Sequence, residues 1–135
     1  MHEVALYFLT SCFYLLAQGA PIHLLNIDAF LLCPDGGIPE EVEVILMDGV
    51  DEKERFRRVF TPADEVCLTA EDFEDKNMSK PSMTVTLQCK ESGGEICAYT
   101  ETTSIPTIYI DSKEPFRPRL RAQAEHKSTC VKPEE

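Results

Sequence analysis

Apolar and polar side chains alternate along several short segments of the chain, and each alternation predicts a β-strand with one buried face. In residues 41–47 the apolar Val42, Val44 and Leu46 occupy every second position, and Met83 begins a similar alternation that runs to Cys89. Further strand-length segments rich in apolar, β-branched or aromatic residues are residues 25–33, 55–61, 96–103 and 107–110.

Turn-forming residues separate these segments. Residues 34–37 (PDGG) follow the first predicted strand, and Gly93-Gly94 lies between the strands that end and begin at Cys89 and Cys97. Residues 63–75 are predicted to hold one or two helical turns at most. About seven short strands with turns between them predict an all-β fold, an antiparallel sandwich or barrel.

Apolar periodicity is lost after Ile110, where proline and charged residues become frequent. Such a segment cannot bury enough apolar surface to order itself. We therefore predict one domain at residues 20–110, followed by a mobile polar tail at residues 111–135.

The N-terminal segment has the pattern of a cleavable signal peptide. Residues 4–16 form a nearly continuous apolar run, which is as long as a secretory h-region and short for a membrane span. Ala17 and Gly19 are the small residues that a signal peptidase requires, so we expect residues 1–19 to be removed and the mature chain to begin at Ala20. The alternative is a buried N-terminal helix or strand. Export would make the mature protein extracellular, with no transmembrane segment.

The chain is acidic, with a formal net charge of −11. Loss of Glu3 with the signal segment leaves −10. This charge argues against nucleic acid or an anionic membrane as a simple electrostatic partner. Most acidic residues lie between Asp28 and Asp75, whereas residues 113–127 are mildly basic.

Five cysteines remain after export, and in an oxidising compartment they are expected to form disulfides. Cys89 and Cys97 flank the predicted Gly-Gly hairpin, so we favour a bond between them. Cys33 would then pair with Cys67 or Cys130. If it pairs with Cys67, Cys130 is the odd thiol, free to join two chains as a homodimer. A zinc site is disfavoured because there is no CxxC spacing.

Residues 97–110 (CAYTETTSIPTIYI) resemble the closing signature of the nematode transthyretin-like family, in which a cysteine begins a strand that runs into Ile-Pro and, two residues later, Tyr-Val or Tyr-Ile. Residues 87–89 and 42–48 are similar to other strands of that family, in the same order. The resemblance, to a divergent member, covers residues 24–110. It implies a transthyretin-like or immunoglobulin-like antiparallel β-sandwich of about seven strands, braced by disulfides, in a secreted binding or signalling protein.

A related branch of that fold hydrolyses 5-hydroxyisourate with histidines, an arginine and a C-terminal Tyr-Arg-Gly-Ser. This chain has His23 before its first strand and lacks the tetrapeptide. No base, nucleophile and oxyanion donor occur together in a recognisable motif, so we expect no catalytic residues and no cofactor.

Three other features bear on surface chemistry. Asn77-Met78-Ser79 is a sequon for N-glycosylation, expected in an exposed loop. The acidic residues between Asp64 and Asp75 lack the spacing of a calcium loop and predict a solvated face. Residues 116–120 (FRPRL) begin a basic stretch that would suit acidic glycans or an acidic partner, unless it is simply a flexible terminus.

These observations predict a secreted, non-enzymatic module that binds an extracellular protein or cell-surface ligand. A carrier of a small hydrophobic ligand in a transthyretin-type dimer is the first alternative. A hydrolase of the hydroxyisourate branch is the second.

Overall fold

The alternating segments form the strands of two β-sheets. The computed structural model describes residues 23–48, 53–61, 65–73 and 80–132 of the protein. The strands in these ranges are β1 His23–Leu32, β2 Glu41–Asp48, β3 Lys53–Phe60, β4 Glu65–Phe73, β5 Pro81–Lys90, β6 Ile96–Ser104, β7 Arg119–Arg121 and β8 Lys127–Val131, with 3₁₀ turns at Thr107–Tyr109 and Ala124–His126.

The smaller sheet has the strand order β4-β1-β7, and the larger sheet has the order β3-β2-β5-β6-β8. The predicted all-β fold with two sheets is confirmed. The prediction of purely antiparallel pairing is wrong at one place, because β7 runs parallel to β1. A parallel neighbour needs a long connection, and residues 105–118 between β6 and β7 supply it.

The core lies between the two sheets and is built from the alternating positions. Val42, Val44 and Leu46 of β2 are completely buried, as are Met83 and Leu87 of β5. Each fully buried side chain of this size contributes about 1.5–3 kcal/mol to folding. Strand β1 adds a third row of fully buried residues: Leu25, Ile27, Ala29 and Leu31.

Two local predictions are wrong. Residues 65–73, expected to hold helical turns, form β4 and pair with β1 from His23↔Phe73 to Phe30↔Glu65. Tertiary pairing along the edge of β1 outweighs the weak helical preference of this segment. Residues 107–109, expected to be a strand, form a 3₁₀ turn closed by the Tyr109 N–H on the Pro106 carbonyl (3.1 Å).

The segment predicted to be a mobile tail is folded onto both sheets, so the domain extends well past Ile110. The Asp28 N–H donates to the Phe116 carbonyl, and the Ala122 N–H donates to the Leu32 carbonyl (2.9 and 2.8 Å). Farther on, β8 pairs with β6. Ala122 is buried and Leu120 packs against the core. The sequence did not predict this because the apolar residues after Ile110 are too few and too widely spaced to produce a periodic signal.

No helix within the described ranges is long and apolar enough to cross a membrane. The predicted signal segment, residues 1–19, and the predicted glycosylation site Asn77 lie outside the described residues.

Candidate recognition surface

Two disulfides whose cysteines both lie among the described residues fasten the sheets, and their pairing differs from the one favoured above. Cys33, just after β1, bonds to Cys89 of β5, and Cys97 of β6 bonds to Cys130 of β8. The predicted Cys89–Cys97 bond is therefore wrong, and so is the proposal of Cys130 as an unpaired or intermolecular thiol. Neither bond of Cys33 suggested above, to Cys67 or to Cys130, is formed.

The register explains why the hairpin suggested the wrong bond. Cys89 and Cys97 are direct cross-strand neighbours, as the predicted hairpin required. Each instead bonds outward, Cys89 to the end of the smaller sheet and Cys97 to the next strand of the larger sheet. The hairpin is already held by its strand pairing, and the two bonds connect parts of the chain that are distant in sequence.

Cys67 lies on β4 opposite Asp28 of β1. Its Sγ is 3.8 Å from the Asp28 Oδ1 atom. None of the described cysteines is free.

A cleft of about 410 Å³ lies beside the Cys33–Cys89 bond, between the turn at residue 34 and the β5–β6 hairpin. Tyr99 is buried at its edge and donates its hydroxyl to the Glu91 Oε2 atom (2.7 Å). Burial and the neighbouring Glu91 carboxylate raise the pKa of Tyr99 to about 12. The Lys127 Nζ atom stands 3.5 Å from the same carboxylate. Within the cleft, the Tyr99 hydroxyl, the Glu91 carboxylate and the Lys127 ammonium group are therefore already paired with one another.

The segment between β7 and β8 is held to β6 by one carboxylate. Glu101 accepts a hydrogen bond from the Gln123 N–H (2.8 Å) and contacts the His126 Nδ1 atom (2.8 Å). This carboxylate is only 11% exposed. Glu101 therefore holds the segment between β7 and β8 against β6.

The described surface carries a row of arginines. Around β7, arginines and inward-facing residues alternate. Arg117, Arg119 and Arg121 are exposed, whereas Pro118 and the partly buried Leu120 face the core side. Pairing with β1 fixes this alternation, because Arg119 lies opposite Phe30 and Arg121 opposite Leu32. We call Arg117, Arg119 and Arg121 the arginine row.

Each arginine of the row has its own support. The Arg117 Nε atom is 3.6 Å from the Asp28 Oδ2 atom. The Arg119 guanidinium stacks over the Phe30 ring, 5.4 Å from its centroid. Arg121 lies over the turn after β1, where a Cβ on Gly36 would come within 2.5 Å of the arginine Nη2 atom. Among the described residues, no carboxylate forms an ion pair with Arg119 or Arg121.

Arg57 on β3 shows the opposite arrangement. Its Nη1 atom contacts Glu43 (2.6 Å) and its Nη2 atom contacts Glu54 (2.7 Å). The hydrogen bond from Arg57 lowers the pKa of Glu54, and the two carboxylates raise the pKa of Arg57. This guanidinium is neutralised within the chain, whereas Arg119 and Arg121 meet no carboxylate among the described residues.

One described group has the spacing of metal ligands: Glu95, Cys97 and Cys130, whose ligand atoms lie within 4.8 Å of one another. Both sulfurs are joined in a disulfide and are not thiolates. The group therefore lacks the anionic sulfur ligands that zinc binds.

The row could have been found from the sequence. The basic character of residues 113–127 is visible in the sequence and predicts acidic glycans or an acidic partner as one possible ligand. What was missed is that arginine recurs at every second position, which is the periodicity of a strand with one solvated face.

Comparisons with protein-family models, with curated proteins and with solved structures found no match to this chain.

Proposed function

We propose that this chain is a secreted, non-enzymatic binding or signalling module, of the transthyretin-like or immunoglobulin-like sandwich type, that recognises an extracellular protein or cell-surface ligand. The observation that carries the proposal is the arginine row. The exposed guanidinium groups lie along β7 and the two residues before it, where backbone hydrogen bonds to β1 and the packed core beneath fix the direction of the chain. A rigid scaffold that holds polar groups outward is the arrangement of a recognition surface.

The remaining surface supports recognition through charge more than through apolar contact. The large exposed apolar side chains of the described residues are far apart along the chain: Ile38 lies in the loop after β1, Val59 in β3, Ile108 in the first 3₁₀ turn and Val131 in β8. Single exposed apolar residues of this kind are ordinary on protein surfaces. The two disulfides of the described residues also suit an extracellular domain of modest size.

The carrier alternative requires an apolar cavity. The described clefts are partly open to solvent and mix apolar with polar side chains: Asp35 and Glu91 lie beside Pro34 and Tyr99 in the first cleft, and Lys80 lies beside Pro81 and Ile105 in a second cleft of about 440 Å³. Neither of these open clefts encloses a lipid or hydrophobic hormone as an apolar cavity would.

Expression in an animal secretory system tests the proposal. We expect the chain to enter the medium with Ala20 at its N-terminus and with its disulfides formed. Fluorescently labelled protein should then bind animal cells saturably, and unlabelled protein should compete. Copurification of a small apolar ligand in native mass spectrometry, without saturable cell binding, would support the carrier instead.

A further inference from the structure

We infer that the arginine row binds a sulfated polysaccharide chain. This inference deepens the proposed function by naming the chemistry of one ligand and the residues that hold it. For such binding, the row must be accessible, regularly spaced and opposite in charge to the polysaccharide. A linear polyanion must also suit the row better than a broad anionic surface does.

The row is accessible and its guanidinium groups are presented outward. Arg117 is 68% exposed although its Nε atom faces Asp28. Contact with the Phe30 ring restrains the Arg119 guanidinium and leaves its N–H groups free to donate to a partner. A preorganised guanidinium loses less conformational entropy on binding than a freely rotating one.

The spacing of the row suits a repeating anion. Side chains two residues apart on an extended strand are separated by roughly 6.6 Å, so the row extends over roughly 13 Å. Guanidinium groups bind sulfate or phosphate oxygens through paired N–H donors. The hollow between Arg117 and Arg119 measures about 180 Å³, and its lining also includes Asp28, which faces Arg117. That is smaller than the pockets that enclose whole small molecules, so it would receive one anionic group of a longer chain.

The negative net charge of the whole molecule favours a narrow, linear polyanion over a broad anionic surface. The chain has a net charge of −11. A broad anionic surface, such as a lipid bilayer or the face of an acidic protein, would meet the acidic remainder of the molecule together with the row. A linear polysaccharide can lie along the row alone, which limits repulsion from the other faces.

Retention of the secreted, oxidised chain on immobilised heparin, with a dissociation constant measured for a heparin fragment, tests the inference. The test variant is Arg119→Gln/Arg121→Gln. The matched control is Arg58→Gln/Lys80→Gln, which removes the same charge. Arg58 stacks over Phe60 at 5.5 Å, much as Arg119 stacks over Phe30, but it lies on the larger sheet.

We expect the wild type and the control to be retained with similar affinity. The test variant should bind on the order of tenfold more weakly for each arginine lost. The dependence of log affinity on log salt concentration should become shallower by about one for each arginine. The variant Arg119→Lys keeps the charge and loses the planar fork, so it should fall between wild type and test variant.

Several outcomes would overturn the inference: no retention of the wild type, equal losses in test variant and control, or undiminished binding to desulfated heparin. Tighter binding to polyglutamate or to phosphatidylserine vesicles, with the same dependence on the row, would also overturn it. Circular dichroism must show that the variants keep the wild-type fold. If the wild type is not retained on heparin and still binds cells saturably after enzymatic removal of their sulfated glycans, the proposed function stands and this inference fails.

Discussion

Tyr99 joins the core to the polar cleft through one hydroxyl group. Its pKa is raised to about 12 by burial and by Glu91. The unfolded chain, in which a tyrosine has a pKa of about 10, therefore loses this proton first as pH rises. The stabilisation is complete below about pH 10 and is lost progressively toward about pH 12.

We expect Tyr99→Phe to lower the free energy of unfolding by about 1 kcal/mol at neutral pH, because the hydrogen bond to Glu91 is lost. Between about pH 9 and about pH 11, the free energy of unfolding of this variant should fall less than that of the wild type. Urea titrations at the two pH values measure both effects. An identical alkaline loss in the two proteins would show that Tyr99 is not the responsible group.

Because Gly36 has no Cβ, the turn after β1 can lie against the Arg121 side chain. The Gly36 φ of 90° is a left-handed conformation that other residues rarely adopt. A Cβ there would also meet the arginine Nη2 atom at 2.5 Å. We therefore expect Gly36→Ala to destabilise the protein by about 1 kcal/mol or more in urea titrations.

Gly93 provides the control for that substitution, because a Cβ there meets nothing within 4 Å. Gly93→Ala should leave the urea midpoint unchanged or raise it slightly. Equal losses at both positions would contradict the role assigned to the backbone of Gly36.

Strand β8 depends on the bond between Cys97 and Cys130 for much of its attachment. It is an edge strand with exposed side chains, and beyond its strand pairing it adds a hydrogen bond from the Ser128 hydroxyl to the Ala98 carbonyl (3.2 Å). We expect Cys97→Ser/Cys130→Ser to cost about 4 kcal/mol, as the chain-entropy account predicts for a loop of this length. Hydrogen exchange at residues 127–131 should accelerate most.

The matched variant Cys33→Ser/Cys89→Ser breaks the bond that joins the smaller sheet to β5. Its faster exchange should extend into β1 and β5, because both sulfurs belong to the core. If the two double variants accelerated exchange in the same strands, the separate roles given to the two bonds would be wrong.

The whole sandwich requires its C-terminal segment. Ending the chain after Ile110 removes β7, β8 and the bond to Cys97, and it uncovers the core beside Leu120 and Ala122. We expect the truncated protein to lose cooperative thermal unfolding and to bind an apolar dye. The full-length Cys97→Ser/Cys130→Ser variant should remain cooperative, which separates loss of the strands from loss of the bond. A cooperative truncated protein would restore the domain limit predicted from the sequence.

The strands that could be predicted are those whose burial pattern is local. Val42, Val44 and Leu46 alternate with partly buried positions because successive side chains of any strand point to opposite faces. β2, β5 and the hairpin to β6 therefore follow from the residues themselves. The register that places Cys89 beside Cys97 follows as well.

Tertiary structure alone decided which distant segments meet. The amino-acid order does not show that Cys33 reaches Cys89, that residues 65–73 find the edge of β1, or that Arg119 lies over Phe30. Each of these contacts depends on the packing of the two sheets around one core. Alternation states which face of a strand is buried, whereas the partner of that strand is set by the free energy of the whole assembly.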